Sequence, residues 1–304
     1  LDQAMKTSSL SHLTAVSGAN CALVVGIAFA LAALCSAPRW GRVATGVAAL
    51  AAFVVLVTPE PSVIRAAVMA TIAMLAVLLG RTGPGIGVLS LAVTLLLAGD
   101  PWLAASLGFA LSAAATAGLL VLARPLATSL SRWMPRGLAL ALAVPLAAQL
   151  ACGPLLVLIA PQIPVYGVVA NLLAAPAAPV ATVVGLIACL TAVVPWLAMP
   201  FMWVGWVAAT WISATATTFA GLPFASAPWA EGLFGALALA AAGGAIVWLL
   251  HRPREPGRVQ VRVRRAALLT LAALLGVAGG STLVRTAMAP ALLPQDWAIA
   301  FCDV

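Results

Sequence analysis

The sequence predicts an all-α membrane protein: a polytopic transmembrane helical bundle of about ten spans, with broken or re-entrant helices among them. Three observations predict it. Of 304 residues, 64% are hydrophobic and 7% charged, with a mean hydropathy of +1.16, far from any ordinary soluble domain. Apolar runs recur along the whole chain, many close to the roughly 20 residues that cross a bilayer as a helix. Ala, Leu and Val dominate, Tyr occurs once, and the short segments of alternating polarity that a membrane barrel needs do not appear.

The apolar runs place spans near 17–35, 43–58, 62–79, 85–98, 101–123, 137–160, 166–194, 197–220, 228–250 and 266–288. Those at 43–58 and 85–98 are short enough to be re-entrant or buried elements instead of full crossings. Pro145, Pro154, Pro176 and Pro179 stand inside apolar runs. Proline removes a backbone donor and frees a carbonyl, which in a membrane must be satisfied by neighbours or line a wet cavity. Helix breaks are therefore expected near Gln149 and Asn171; a simple packing kink is the competing reading. The loops after the first, third, fifth and ninth spans hold Arg39 and Arg42, Arg81, then Arg124, Arg132 and Arg136, then a cluster of six arginines, Arg252, Arg254, Arg258, Arg262, Arg264 and Arg265. Cytoplasmic loops are enriched in Lys and Arg, so these loops face the cytoplasm and both termini lie outside it. The opposite loops hold Glu60 and Asp100. The count closes only if 166–194 crosses once, bent at Pro176 and Pro179.

Catalysis finds little support. His12 and His251 are the only histidines, and neither HExxH nor GxSxG occurs. Gly83-Pro84-Gly85-Ile86-Gly87 lacks the Lys-Ser/Thr of a phosphate-binding loop. No catalytic residue, metal ligand or cofactor is expected, and driving energy must come from elsewhere. Cys21, Cys35, Cys152, Cys189 and Cys302 have no ligand or redox spacing and read as small core residues. Gly276 and Gly280 form a GxxxG helix-packing motif. Trp203, Trp206 and Trp211, with Trp196 before them, read first as an interfacial belt and second as an aromatic wall for bases. No internal repeat is apparent, which weighs against an ordinary secondary transporter.

The polar residues inside apolar sequence matter most. His12, Ser17 and Asn20 stand where the first span begins, and Arg65 lies about one turn into the third. Such groups are costly in hydrocarbon and face a protein interior or a water-filled path. Ser17 also suits a helix N-cap. Arg65 has three readings: snorkelling toward headgroups, a cation lining an anion path, or a partner for Glu60 or Asp100.

The words that carry these residues resemble those of a known family. His12-Leu13-Thr14-Ala15-Val16-Ser17-Gly18 resembles the HLxAxSG signature of the competence domain of the ComEC family, inner-membrane DNA-uptake channels. Pro61-Ser62-Val63-Ile64-Arg65-Ala66-Ala67-Val68-Met69 is similar to its PSxxRAxxM segment. Asp100-Pro101-Trp102 with Gly108-Phe109-Ala110-Leu111-Ser112 is similar to its DPxxxxxxGFxLS block, and Asn171-Leu172-Leu173-Ala174-Ala175-Pro176 to its NLLAxP block. Trp297 to Val304 resembles the strand that opens the family's metallo-β-lactamase-like domain, so residues 1–290 are read as the channel domain and 291–304 as the start of a truncated second domain. Where many relatives have a second histidine shortly after Ser-Gly, this chain has Asn20.

The resemblance implies a channel for single-stranded DNA in natural transformation, located in the bacterial inner membrane among its lipids. An extracytoplasmic DNA receptor and a cytoplasmic ATP-driven motor are implied as partners, with any nuclease activity in the missing domain; a monomer and a homo-oligomer are both compatible. His12, Ser17, Asn20, Arg65, Gln149 and Asn171 are the residues expected on the path or its gate. Asp100 is read as structural, fixing a bend before Pro101. The Arg252–Arg265 cluster is first a topology signal and second a receiver of the strand or of anionic lipid. The alternatives are a transporter of a small or lipid-linked anionic solute, and a scaffold without a conduit.

Overall fold

The computed structural model describes residues 1–13, 18–57, 61–78, 85–250, 261–273 and 276. The described chain is all-α apart from two three-residue strands. In order it runs α1 (Asp2–Thr7), a 3₁₀ turn (Ser11–Leu13), α2 (Gly18–Leu34), α3 (Arg39–Val57), α4 (Pro61–Leu78), α5 (Gly85–Gly99), a second 3₁₀ turn (Pro101–Ala105), α6 (Leu107–Leu130), α7 (Arg136–Val157), β1 (Gln162–Pro164), α8 (Gly167–Ala174), α9 (Ala177–Thr191), α10 (Pro195–Ala220), β2 (Ser226–Pro228) and α11 (Gly232–Leu250). Residues 261–273 are also helical. Among the described residues α3, α6, α7, α10 and α11 are five helices long and apolar enough to cross a membrane, and the bent pair α8–α9 makes up to six. Asn20–Leu34, Val63–Ala76 and Gly85–Gly99 are apolar but shorter.

Several expectations change in detail. The 43–58 segment, read as short, is the 19-residue helix α3, because Arg39-Trp40-Gly41-Arg42 forms its first turn. The expected 101–123 span is split. Asp100 Oδ1 accepts from Trp102 N at 3.1 Å and caps the short 3₁₀ turn, then Ser106 in extended backbone caps α6, which runs on to Leu130. Arg124 consequently lies on an exposed stretch of α6 instead of in a loop. No break occurs near Gln149: α7 continues through Pro145 and Pro154. Each proline removes a single N–H, and a helix survives that where neighbours re-satisfy the freed carbonyl. Near Asn171 the break is present, a 43° bend between α8 and α9.

Contacts divide the chain into two compact units. The first comprises Leu1–Cys152 and Pro164–Ser226. One of its cores joins Cys21 and Val24 of α2, Val43, Leu50 and Phe53 of α3, and Val63, Ala66 and Met74 of α4. A second core joins Met5 and Leu10 of the N-terminal segment, Ala170 and Ala174 of α8, and Ile212 and Ala216 of α10. α6 and α7 meet at Gly118, where a Cβ would stand 2.5 Å from Ala151 Cβ and 2.9 Å from Ala147 O, so only glycine fits. The second unit comprises Gly153–Ile163 and the chain from Ala227 on. There Trp229 N donates to Pro161 O at 2.8 Å and its Nε1 to Gly235 O at 2.9 Å, fixing the turn into α11.

Candidate functional site: a polar seam beside a broken helix

The N-terminal segment is built into the first unit. Met5, Ser8 and Leu10 are buried, and Ser8 Oγ returns its proton to Ala4 O at 2.8 Å. Ser9, at φ 61°, reverses the chain into the 3₁₀ turn that carries His12. His12 hydrogen-bonds the Ser9 backbone and the Asn171 side chain. Its ring keeps an exposed edge. Loss of surrounding water lowers its pKa below 6.5, and the two hydrogen bonds oppose that by favouring the charged ring. The net direction favours the neutral ring.

Gly167, the first residue of α8, completes the contact. A Cβ on it would lie 3.0 Å from Ser9 Cβ and 3.3 Å from Gln149 Oε1. Gln149 Nε2 donates to Pro164 O at 3.3 Å. Three of the sequence candidates, His12, Gln149 and Asn171, thus meet through Ser9 and Gly167 at the head of the broken helix. At the other end of α8, Trp211 Nε1 donates to Leu173 O at 2.9 Å, satisfying a carbonyl that the break leaves without a helical partner. Trp211 therefore staples α10 to the bend. Trp203 and Trp206 face outward on α10, edge to face with 5.6 Å between ring centroids.

Asn20 and Arg65 form a neighbouring group. Thr182 Oγ1 on α9 lies 3.3 Å from Asn20 Oδ1 and 2.9 Å from Ala178 O. The hydroxyl donates to both acceptors, more closely to Ala178 O, and so ties Asn20 to α9. Next along α2, Cys21 lies beside Arg65 of α4, which is 2% exposed. Arg65 is turned into the α2–α3–α4 core and does not reach the surface as a snorkelling side chain would. α2 thereby links Asn20 and Arg65, and the α8–α9 pair links Asn171 and Thr182. An open groove of about 310 Å³ lies on the other face of α4, lined by Ile64, Leu95, Leu96, Gly99, Asp100 and Leu103. Its one charge is negative, so it does not suit phosphates.

Ser17, Arg252, Arg254 and Arg258 lie outside the described residues, as do 291–304 and the proposed domain boundary. Arg262, Arg264 and Arg265 are exposed on the helix 261–273, so this part of the basic cluster is helical and not a loop. Ser9, Gly167 and Thr182 complete the site but carry no signal of their own, since small and hydroxyl residues are common in such a chain; Trp211, read as part of an interfacial belt or aromatic wall, instead uses its indole N–H on a backbone carbonyl that only the fold brings near.

A family model described as Competence protein matches residues 1–254. Comparison with curated proteins and with solved structures returned no match.

Proposed function

The chain belongs to the Competence protein family, and we propose that it conducts incoming single-stranded DNA across the bacterial inner membrane during natural transformation. The observation that carries this reading is the meeting of His12, Asn171 and Gln149 at the head of a broken helix inside an apolar bundle. Polar groups and irregular backbone at such a place line a pathway or a protein interior. Asn171 and Gln149 carry no charge, and His12 favours its neutral form. Neutral donors can hydrogen-bond phosphate oxygens and let them go, whereas a dense cationic lining would hold the strand by Coulomb attraction. Arg65 and Asn20 extend the seam along α2 and supply one sparse positive charge.

On this reading α2, α4 and α5 are three further passes and the helix 261–273 belongs to a tenth, and the Arg-bearing helix ends and turns face the cytoplasm. The His12 end and both termini are extracytoplasmic. A DNA receptor outside and an ATP-driven motor inside complete the machine. We assign no catalytic role to these residues. The test is uptake of labelled DNA by cells carrying Arg65→Ala or Asn171→Ala in the full-length protein, with membrane levels checked by blot. Lost cytoplasmic DNA at normal protein level and normal surface binding is expected. Unchanged transformation by both variants would remove the seam from the path.

A further inference from the structure

The turn after α10 is held in an unusual way. Phe224 has φ 58°, the left-handed region in which the Cβ of a bulky residue crowds the next carbonyl and which such residues rarely occupy. Its side chain is 86% exposed, so packing of the ring does not offset that cost. The backbone is fixed from both sides instead. Tyr166 Oη donates to Pro223 O at 3.0 Å, Val165 N donates to Ala225 O at 3.1 Å, and Ala225 N closes the turn on Leu222 O at 3.2 Å. Tyr166 is the one tyrosine in the chain, and its ring rests on Phe219 with 6.1 Å between centroids. Strained residues persist where their surroundings over-determine them, and they cluster at working sites. Glycine would make this turn without strain. What glycine lacks is the ring.

The position gives the ring a use. Tyr166 directly precedes α8, whose first residue meets Ser9 and Gln149 and whose Asn171 bonds His12. The clamp therefore presents Phe224 at the same end of the unit as the polar seam. Resting on the DNA-uptake reading, we propose that Phe224 is a stacking post for nucleobases of an incoming single strand at the outer mouth of the path. Every base offers a π face, so stacking tolerates any sequence. An uncharged ring adds no Coulomb hold on phosphates, in keeping with the neutral seam behind it.

The test uses full-length protein in nanodiscs of phosphatidylethanolamine and phosphatidylglycerol, with the Kd for a fluorescein-labelled oligothymidylate read by anisotropy. Phe224→Gly and Phe224→Leu are expected to weaken binding at least about fivefold, and Phe224→Trp to stay within about twofold of wild type. The unfolding midpoint of Phe224→Gly should equal or exceed that of wild type, because glycine relieves the backbone, so lost binding is not lost folding. A 5-iodouracil-substituted strand should photocrosslink within residues 222–226. Wild-type affinity in Phe224→Leu with weak binding in Phe224→Gly would overturn stacking in favour of an apolar anchor in lipid. Wild-type affinity in Phe224→Gly would overturn it outright, with the uptake reading left standing. A wild-type protein that binds no strand would overturn both.

Discussion

At the scale of single residues, the site depends on neutral polar groups and one buried cation. His12 is held below its ordinary pKa of 6.5. The unfolded chain therefore binds a proton there more readily than the folded one, and stability rises with pH in that window. Its contribution is complete above about pH 6.5 and is lost as pH falls through 6.5 toward the lower folded value. Thermal unfolding in detergent between pH 5 and 8 should show wild type weakening below 6.5 and His12→Gln with a flatter profile; an unaltered slope in the variant would assign the effect to another group. Asn171→Ala removes a partner of that ring and should cost about 1 kcal/mol of stability. Arg65 separates structure from function more sharply. Removing one member of a buried polar contact destabilises by leaving the other unmet, so Arg65→Met is read beside Arg65→Lys, which keeps the charge: uptake should be lost in the first and kept in the second at equal membrane level. Uptake at wild-type level in Arg65→Met would make Arg65 a packing residue.

At the scale of elements, the helices were legible and their faces were not. Long apolar runs announce themselves by length, and Pro176 marks the bend because a proline after Asn171-Leu172-Leu173-Ala174-Ala175 leaves carbonyls without helical donors. The faces stay hidden because lipid is as apolar as leucine, so no periodic alternation is needed to drive helices together. On α7 the inner face is a stripe of Ala139, Ala143 and Ala147, each 0% exposed, continued by Ala151 against Gly118. In a chain so rich in alanine that stripe does not stand out, and Gly276 and Gly280 drew notice only as a known motif. The polar candidates were legible because each is expensive in hydrocarbon. Their partners Ser9, Gly167 and Thr182 were not, being cheap there. The α6–α7 crossing makes a firm prediction. Gly118→Ala puts a Cβ 2.5 Å from Ala151 Cβ, and overpacking of this kind costs about 1–3 kcal/mol. A lower unfolding midpoint is expected, with partial recovery in Gly118→Ala combined with Ala151→Gly. No recovery would mean that the clash with Ala147 O dominates.

At the scale of the whole molecule, the question is which end faces the cytoplasm, and helix electrostatics helps to answer it. Arg39 and Arg136 are the first residues of α3 and α7. A cation at a helix N-terminus opposes the macrodipole, an unfavourable placement by about 0.3–1 kcal/mol, so local helix stability does not explain these arginines. The proposed orientation gives them a place, since basic residues gather at cytoplasmic ends. The polar seam lies toward the opposite end: Gln149 is 13 residues along α7 from Arg136 (149 − 136), about 20 Å at 1.5 Å per residue. The Tyr166–Pro223 hydrogen bond sets the start of α8 beside the end of α10, as required if the bent α8–α9 pair crosses once and α10 returns. Cysteine labelling in whole cells then tests orientation directly. Exposed Cys35 and Cys189 would first be replaced by serine, with Cys302, to clear the background. Leu222→Cys, at the seam's end, should react with a membrane-impermeant maleimide in cells whose inner membrane is intact. Trp133→Cys, in the turn between α6 and α7 and 76% exposed in wild type, should react only after that membrane is opened. The reverse pattern would turn the His12 cluster and Phe224 toward the cytoplasm, making the proposed mouth an exit. Labelling of both from outside would break the up-and-down order of α7 to α10 on which the path depends.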